Sequence, residues 1–395
     1  MKNVVLITNY FHFKSEKESN RYRELAYMIA KEKDINLEVI TSKFYQRTKT
    51  FRANLDELKK EVPFKVSFVD EPGYKKNISL KRLRTSKVFG KNVIKYLKSI
   101  KKPDVIYQVV PTLDVANYVG KWANKNQIPF IIDVQDLWPE AYKMAINIPF
   151  ISDILFYPIL KKANAIYKRA DAVCAVSKSY VNRVLSVNKK VHEGHPVYIG
   201  INLEKFDSNI KHEKVIKDSR IKLAYCGSLE KSYDIKLVID ALASLKNPPL
   251  FVVIGDGSMK KEFEEYAAQK KVDVIFTGYV QYSEMCDLLC SCDITVNPII
   301  GESVATIINK HGDYCACGLP VLNTQKSEEY ENLVDSYQMG FNCHSEKELS
   351  EKIQLLIDNP QLRKSMGVNA RRCAEEKFDR NKTYTELVGC IKNFK

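Results

Sequence analysis

Residues 309–321 read Asn-Lys-His-Gly-Asp-Tyr-Cys-Ala-Cys-Gly-Leu-Pro-Val, and their chemistry suits the binding of an anion and of hydroxyl groups. An ammonium, Lys310, stands three positions before a carboxylate, Asp313, a spacing that puts both on one face of a helix. Gly318 ends such a helix, and Pro320-Val321-Leu322 opens an apolar strand, so the pair belongs to a strand-helix junction. At these junctions in α/β sheets a helix N-terminus and a lysine face phosphate, while a carboxylate faces ribose hydroxyls. An ordinary surface ion pair has the same spacing. Ahead of the helix, the strand-like Asp293-Ile-Thr-Val-Asn-Pro298 leads into the polar loop Gly301-Glu302-Ser303.

The elements that must position these groups are legible along the whole chain. Strand-like apolar runs alternate with helical periodicity, the pattern of parallel α/β sheets with crossover helices. Strands are expected near 3–9, 37–42, 64–69, 104–110, 129–134, 172–176 and 196–199, and again near 221–226, 249–254, 273–277, 293–297 and 320–323. Each set suffices for one doubly wound sheet. Residues 201–220, polar and rich in Lys and Asp, read as the linker. The domains expected are therefore 1–200 and 201–380, with 381–395 as a C-terminal helix.

Several chemistries are excluded by what is missing. The loop after the first strand, Asn9 to Asn20, contains no glycine, whereas a dinucleotide fingerprint needs Gly-x-Gly-x-x-Gly there for the pyrophosphate to approach the backbone. No P-loop and no Asp-x-Asp occurs. Cys286, Cys290, Cys292, Cys315 and Cys317 lack Cys-x-x-Cys pairs and spaced histidine partners, so they read as core thiols rather than zinc ligands. No cofactor and no metal is expected.

With this order of parts, the C-terminal half resembles the donor-binding domain of glycosyltransferase family 4, retaining enzymes of the GT-B fold. In that family a helix ending in carboxylate, two small or apolar residues, Ala-x-Gly-x-Pro grips the nucleotide sugar. Asp313, Ala316, Gly318 and Pro320 match it. Asp136-Leu-Trp-Pro-Glu140 resembles a segment of the branch that builds bacterial capsular and O-antigen polysaccharides. Ala170-Asp-Ala-Val173, Ile201-Asn-Leu-Glu-Lys-Phe206, Gly227-Ser-Leu229 and Gly255-Asp-Gly257 match further family landmarks in order. The resemblance implies an α/β GT-B chain of two Rossmann-like parallel-sheet domains facing a cleft, acceptor-side first and donor-side second, the final helix crossing back to the first domain. Two departures stand out. The position paired with Asp313 at the family spacing is Ala305, with Glu302 three residues early. Where many members carry Gly-Arg-Leu and a later Lys for the diphosphate, this chain has Ser228 and Tyr233.

Composition is that of a globular chain, 45% apolar and 28% charged over 395 residues, and the absence of long apolar runs and of a signal layout leads us to expect a cytoplasmic protein. The net charge of +14 is uneven: residues 1–200 carry +17 and residues 201–395 carry −3. The densest stretch, from Lys75 to Lys102, interleaves Lys87, Lys91 and Lys95 with Leu83, Val88, Val93, Ile94 and Leu97 at near-helical spacing. It fits an anionic membrane surface on the inner face of the plasma membrane, or a solvated helix face. Without a stacking platform or a nucleic-acid motif, nucleic acid is not expected as a partner.

The resemblance implies a retaining hexosyl- or N-acetylhexosaminyltransferase moving sugar from a nucleotide diphosphate to a lipid-linked or growing cell-surface polysaccharide. Lys310 would neutralise the diphosphate, with Gly227, Ser228 and Asn309 offering backbone around it; Asp313 would hold ribose and Glu302 would touch the sugar. Asp136 is the acceptor-side carboxylate or a strand-end cap, and Asn20 and Arg21 are acceptor-side groups or the start of a helix. Rival readings are a nucleotide-sugar 2-epimerase of the same architecture and an inactive GT-B scaffold. The sequence names neither sugar, base, acceptor nor oligomeric state.

Overall fold

The protein is described here from a computed structural model covering residues 1–16, 20–76, 79–145, 151–211, 216–301 and 306–394. The chain divides into two compact units, Met1–Tyr198 with Tyr384–Lys395, and Ile199–Thr383.

The first unit contains β1 (Lys2–Ile7), β2 (Ile35–Ser42), β3 (Phe44–Tyr45), β4 (Thr50–Phe51), β5 (Lys65–Val69), β6 (Val105–Val110), β7 (Phe130–Val134), β8 (Ala172–Ala175) and β9 (His195–Pro196). Seven of them form a parallel sheet in the order β5-β2-β1-β6-β7-β8-β9, and β3 and β4 make a small antiparallel hairpin. β6 and β7 read Val-Ile-Tyr-Gln-Val-Val and Phe-Ile-Ile-Asp-Val, and every residue of both is buried. Such continuous apolar runs belong to parallel strands covered on both faces. Against one face, around Leu6, Val39, Tyr107 and Ile131, packs the helix Arg21–Ala30 through Tyr22, Leu25 and Ile29.

The helix Arg380–Asn393 adds Leu387, Val388 and Ile391 to the same core. Burying each contributes about 1.5–3 kcal/mol. That suffices to hold a 14-residue helix that would be marginal alone in water.

The second unit holds β10 (Lys222–Cys226), β11 (Leu250–Ile254), β12 (Val274–Gly278), β13 (Ile294–Asn297), β14 (Val321–Asn323) and β15 (Gly340–Asn342), all parallel, in the order β12-β11-β10-β13-β14-β15. In both units the chain winds outward from the first strand in one direction and then returns to build on its other side. The switch points therefore fall between β1 and β6 and between β10 and β13, where open α/β sheets bind ligands beyond the strand carboxyl ends.

Three local expectations change. The run 201–220 is not a plain linker: Leu203–Ser208 is a helix with Leu203 and Phe206 buried. The strand expected at 196–199 reduces to His195–Pro196. β15 and the β3-β4 hairpin were not anticipated, because two- and three-residue strands leave no readable period. Among the described residues no helix is long and apolar enough to cross a membrane, and all ten cysteines are free thiols.

Candidate functional site

β10 ends at Cys226 and the chain turns through Gly227-Ser228-Leu229 against the turn Gly255-Asp256-Gly257 that follows β11. Gly227 N–H donates to Ile254 O and Leu229 N–H to Asp256 O, each at 2.9 Å. Both leading glycines have positive φ, +143° at Gly227 and +148° at Gly255. A Cβ at Gly227 would lie 2.2 Å from Lys310 Cε and Nζ, and one at Gly255 would lie 1.8 Å from Gly227 O. Glycine is required because backbone and lysine occupy the side-chain space.

Lys310 arrives on the helix Asn309–Ala316, which Gly318 terminates as the sequence suggests. Its Nζ donates to Tyr225 Oη at 2.7 Å and stands 4.3 Å and 3.5 Å from the ring centroids of Tyr225 and Tyr233. Tyr225 Oη donates in turn to Ser228 O at 2.6 Å, so the lysine, the tyrosine and the turn form one chain of hydrogen bonds. Burial outweighs these contacts and lowers the Lys310 pKa to about 7.

Asp313 lies one turn further along but does not pair with Lys310. It accepts instead from Tyr282 Oη at 2.9 Å, and burial raises its carboxyl to about 6 against the pull of Tyr282 and Arg380. The i,i+3 pair permitted by the spacing is thus absent, and each charge is held by its own tyrosine. Asn309 is the exposed first residue of the helix and Ser228 is exposed at the turn. Between the two charged residues, His311 is fully buried, stacked on Tyr330 with ring centroids 3.4 Å apart, and its Nδ1 accepts from Ile308 N–H at 3.3 Å. Burial and neighbouring Lys310 push its pKa well below the ordinary histidine value, so it is a neutral structural ring. Glu302 and Ala305 lie outside the described residues.

Sequence reasoning named Tyr233 only as a missing cation, and it missed Tyr225, Tyr282 and a ladder of amides. Asn297, Asn323 and Asn342 are register partners closing β13, β14 and β15. Asn297 Nδ2 donates to Asn323 Oδ1 at 3.0 Å, and Asn323 Nδ2 to Asn342 Oδ1 at 2.9 Å. An asparagine at the end of two successive apolar strands, β13 and β14, was the available signal. The ladder ties together the strand ends on the far side of the β10/β13 switch point.

In the first unit Asn20 caps the helix Arg21–Ala30, its Oδ1 accepting from the N–H groups of Tyr22 and Arg23. Arg21 is buried, bound to both oxygens of Asp133 at 3.2 and 3.3 Å and to the carbonyls of Val197 and Tyr198. Both side chains are thus committed within this unit rather than presented to a ligand. Asp136 follows β7 at the surface, and Arg82 nearby pulls its carboxyl down while desolvation raises it further. Lys87, Lys91 and Lys95 project into solvent from one face of the helix Leu80–Leu97, whose other face buries Phe89, Val93 and Leu97.

Residues 206–373 match the family model of glycosyl transferases group 1. An uncharacterised glycosyltransferase of Methanocaldococcus jannaschii is 28% identical over 56% of this chain and 58% of its own length. A second relative is 24% identical over 48% of this chain and 51% of its own: a Campylobacter jejuni α-1,4-N-acetyl-D-galactosaminyltransferase, whose name gives a GalNAc-bearing diNAcBac-PP-undecaprenol as acceptor. This chain thus spans little more than half the length of either relative. Among solved structures, Anabaena HepE in complex with UDP is similar with a TM-score of 0.70 at 17% identity, covering 99% of this chain and 100% of that one. The lipopolysaccharide outer core galactosyltransferase WaaB, at 15% identity, gives 0.64 over 99% of each chain. The fold is GT-B.

Proposed function

We propose, because residues 206–373 match the family model of glycosyl transferases group 1, that the protein transfers a sugar, with retention, from a nucleotide diphosphate to a lipid-linked or growing cell-surface polysaccharide. The observation that carries this reading is Lys310, held over Gly227 by two tyrosine rings at the β10/β13 switch point. A half-buried ammonium beside a glycine turn is a site for a diphosphate, because removing water strengthens the charge interaction and the glycine lets the backbone N–H groups approach.

In the transfer the bond from the sugar's anomeric carbon to the β-phosphate oxygen breaks, the acceptor hydroxyl oxygen bonds that carbon on the same face, and its proton leaves with the nucleoside diphosphate. Charge builds on the departing diphosphate, where Lys310 and the N-terminal amides of its helix offset it. Asp313 takes the ribose hydroxyls. No metal is needed for this scheme. The similar structure with bound UDP supports a uridine donor, and the Campylobacter relative's name supports a lipid-linked acceptor. The epimerase reading requires histidine and glutamate free for proton transfer, and the central His311 is instead buried and stacked.

Calorimetry with UDP-, GDP- and dTDP-sugars, followed by donor consumption with and without added acceptor, tests the proposal. Binding of one donor and acceptor-dependent consumption are expected. Consumption that ignores the acceptor would point to the epimerase, and binding without consumption to the scaffold.

A further inference from the structure

The short strand β9 lies at the edge of the first sheet, and its register sets His195 beside Cys174 of β8. Side chains of register partners point to the same face, here the one on which the helix Arg380–Asn393 packs. On that helix Glu386 and Cys390 stand one turn apart and share a side. Two strand residues and two helix residues therefore meet. Cys174 Sγ donates to Cys390 Sγ at 3.9 Å, and His195 Nδ1 lies 2.9 Å from Glu386 Oε1. The same imidazole hydrogen-bonds Cys390.

A carboxylate, an imidazole and a thiol in series make the sulfur a nucleophile, because the carboxylate keeps the ring protonated and the ring stabilises the thiolate. The hydrogen bond from Cys174 and the His195 ring lower the Cys390 thiol to about 6 against the effect of burial. Cys390 and Glu386 in turn raise His195 to about 10. Near neutral pH the two are thiolate and imidazolium. Burial pushes the thiols of Cys226, Cys286, Cys292 and Cys343 up to about 12, so those sulfurs stay protonated. Asp133 of β7, the register partner of Cys174 on its other side, is neutralised by Arg21.

Access limits the reagent. Cys390 is only 4% exposed, whereas the side chains of His195 and Glu386 are 33% and 49% exposed. Solvent reaches the cluster along the ring and the carboxylate, and hydrogen peroxide, little larger than water, can follow.

We propose that Cys390 is a hydroperoxide-reactive sulfur and Cys174 its resolving thiol, with His195 and Glu386 as positioning residues. The Cys390 thiolate attacks one peroxide oxygen, the O–O bond breaks, and the departing hydroxide takes the His195 proton and leaves as water. Cys390 is then a sulfenic acid. The Cys174 sulfur displaces its hydroxyl, which leaves as water with the Cys174 proton, and a disulfide forms. Two thiols have together lost two electrons and one peroxide has become two waters. The new bond fastens the helix Arg380–Asn393 to β8, and an external thiol reverses it. The inference is independent of the transfer reading.

The test treats the reduced full chain with hydrogen peroxide at pH 7, blocks remaining thiols under denaturing conditions and maps every cysteine by mass spectrometry. A Cys174–Cys390 linked peptide is expected before any other cysteine is oxidised, and dithiothreitol should remove it. Cys174→Ser should leave Cys390 as the sulfenic acid or its higher oxides, and Cys390→Ser should leave Cys174 reduced. The wild-type rate should be flat from pH 7 to 9. His195→Gln should slow the reaction about tenfold or more at pH 7 and regain rate toward pH 9 as the thiol ionises unaided, a profile that lost packing alone would not give. Circular dichroism checks that the variants fold; if His195→Gln does not, the wild-type map and pH profile still decide. Earlier or equal oxidation of other cysteines, no linked peptide, a wild-type rate that climbs steeply above pH 8, or a folded His195→Gln protein with unchanged rate overturns the proposal.

Discussion

The ammonium of Lys310 stands 3.5 Å from the centroid of the Tyr233 ring. Tyr233 is the position at which the resemblance leads one to expect a phosphate-binding lysine. The cation has in effect moved from the turn to the helix, and the vacated position supplies the aromatic face that supports it. The support does not offset desolvation, since the lysine's pKa still falls to about 7. Lys310 is therefore fully charged in the free protein only below neutrality, and an arriving diphosphate must draw in a proton.

A pH dependence of nucleotide-sugar affinity follows, with its sign set by two groups. Lys310, lowered to about 7, loses its charge as pH rises through that value, so affinity falls on the alkaline side. Asp313, raised to about 6, is protonated as pH falls through that value and loses its pull on ribose hydroxyls, so affinity falls on the acid side. Calorimetry of a UDP-sugar from pH 5 to 9 should give a bell, with net proton uptake on binding above neutrality. Lys310→Arg should flatten the alkaline limb and Asp313→Asn the acid limb, the latter with weaker binding throughout. A flat profile in the wild type would contradict both assignments.

Removing the ammonium altogether is a harsher test. Lys310→Ala should lower kcat by about a hundredfold or more, the equivalent of losing ~3 kcal/mol of transition-state stabilisation. Near-normal turnover would reduce Lys310 to a packing residue beneath Gly227.

Positive charge from Lys310 and backbone amides is sufficient for the proposed scheme, so turnover should persist in excess EDTA. Abolition by the chelator, restored by Mg²⁺ or Mn²⁺, would require a different account of the diphosphate.

How much of this was legible depends on how far along the chain each contact reaches. Lys310, Asp313 and the glycine stop lie within one helical run, and their common face is readable from spacing. The tyrosines that keep the two charges apart are not: Tyr225 lies 85 residues before Lys310 and Tyr282 lies 31 before Asp313. Only the sheet brings them together. Central strands such as β6 and β7 announced themselves by unbroken apolar runs, whereas β15 is three residues long and has no pattern of its own. Arg21 shows the opposite limit, since nothing in its local sequence distinguishes a buried partner of Asp133 from a loop cation.

That buried pair makes a stability prediction. Arg21 and Asp133 side chains are 3% and 0% exposed, and Arg21 also satisfies two carbonyls. Removing one partner strands the other charge, so Arg21→Ala or Asp133→Ala should each cost about 3–5 kcal/mol. Urea titration followed by circular dichroism would register the change. A loss below about 1 kcal/mol would fit a solvent-exposed pair instead.

The last prediction concerns the helix Leu80–Leu97, which we propose lays the first unit on an anionic membrane leaflet. Lys87, Lys91 and Lys95 recur every four residues on its exposed face, while Leu80 and Leu83 remain 84% and 53% exposed, an arrangement that wastes apolar surface in water. Exposed Ile154, Leu155 and Tyr157 on the helix Ile151–Tyr167 add apolar surface to the same unit. Each basic side chain near an anionic surface contributes about 1 kcal/mol, so a handful with shallow leucine insertion gives reversible attachment. The attraction decays over roughly 8 Å at physiological salt, so binding should fall steeply as salt rises. Liposome sedimentation should therefore show the wild type on phosphatidylglycerol vesicles but not on neutral ones, and a variant with Lys87, Lys91 and Lys95 reversed to Glu should stay in the supernatant. Equal recovery on both vesicle types, or no change in the variant, would leave these lysines as an ordinary solvated helix face.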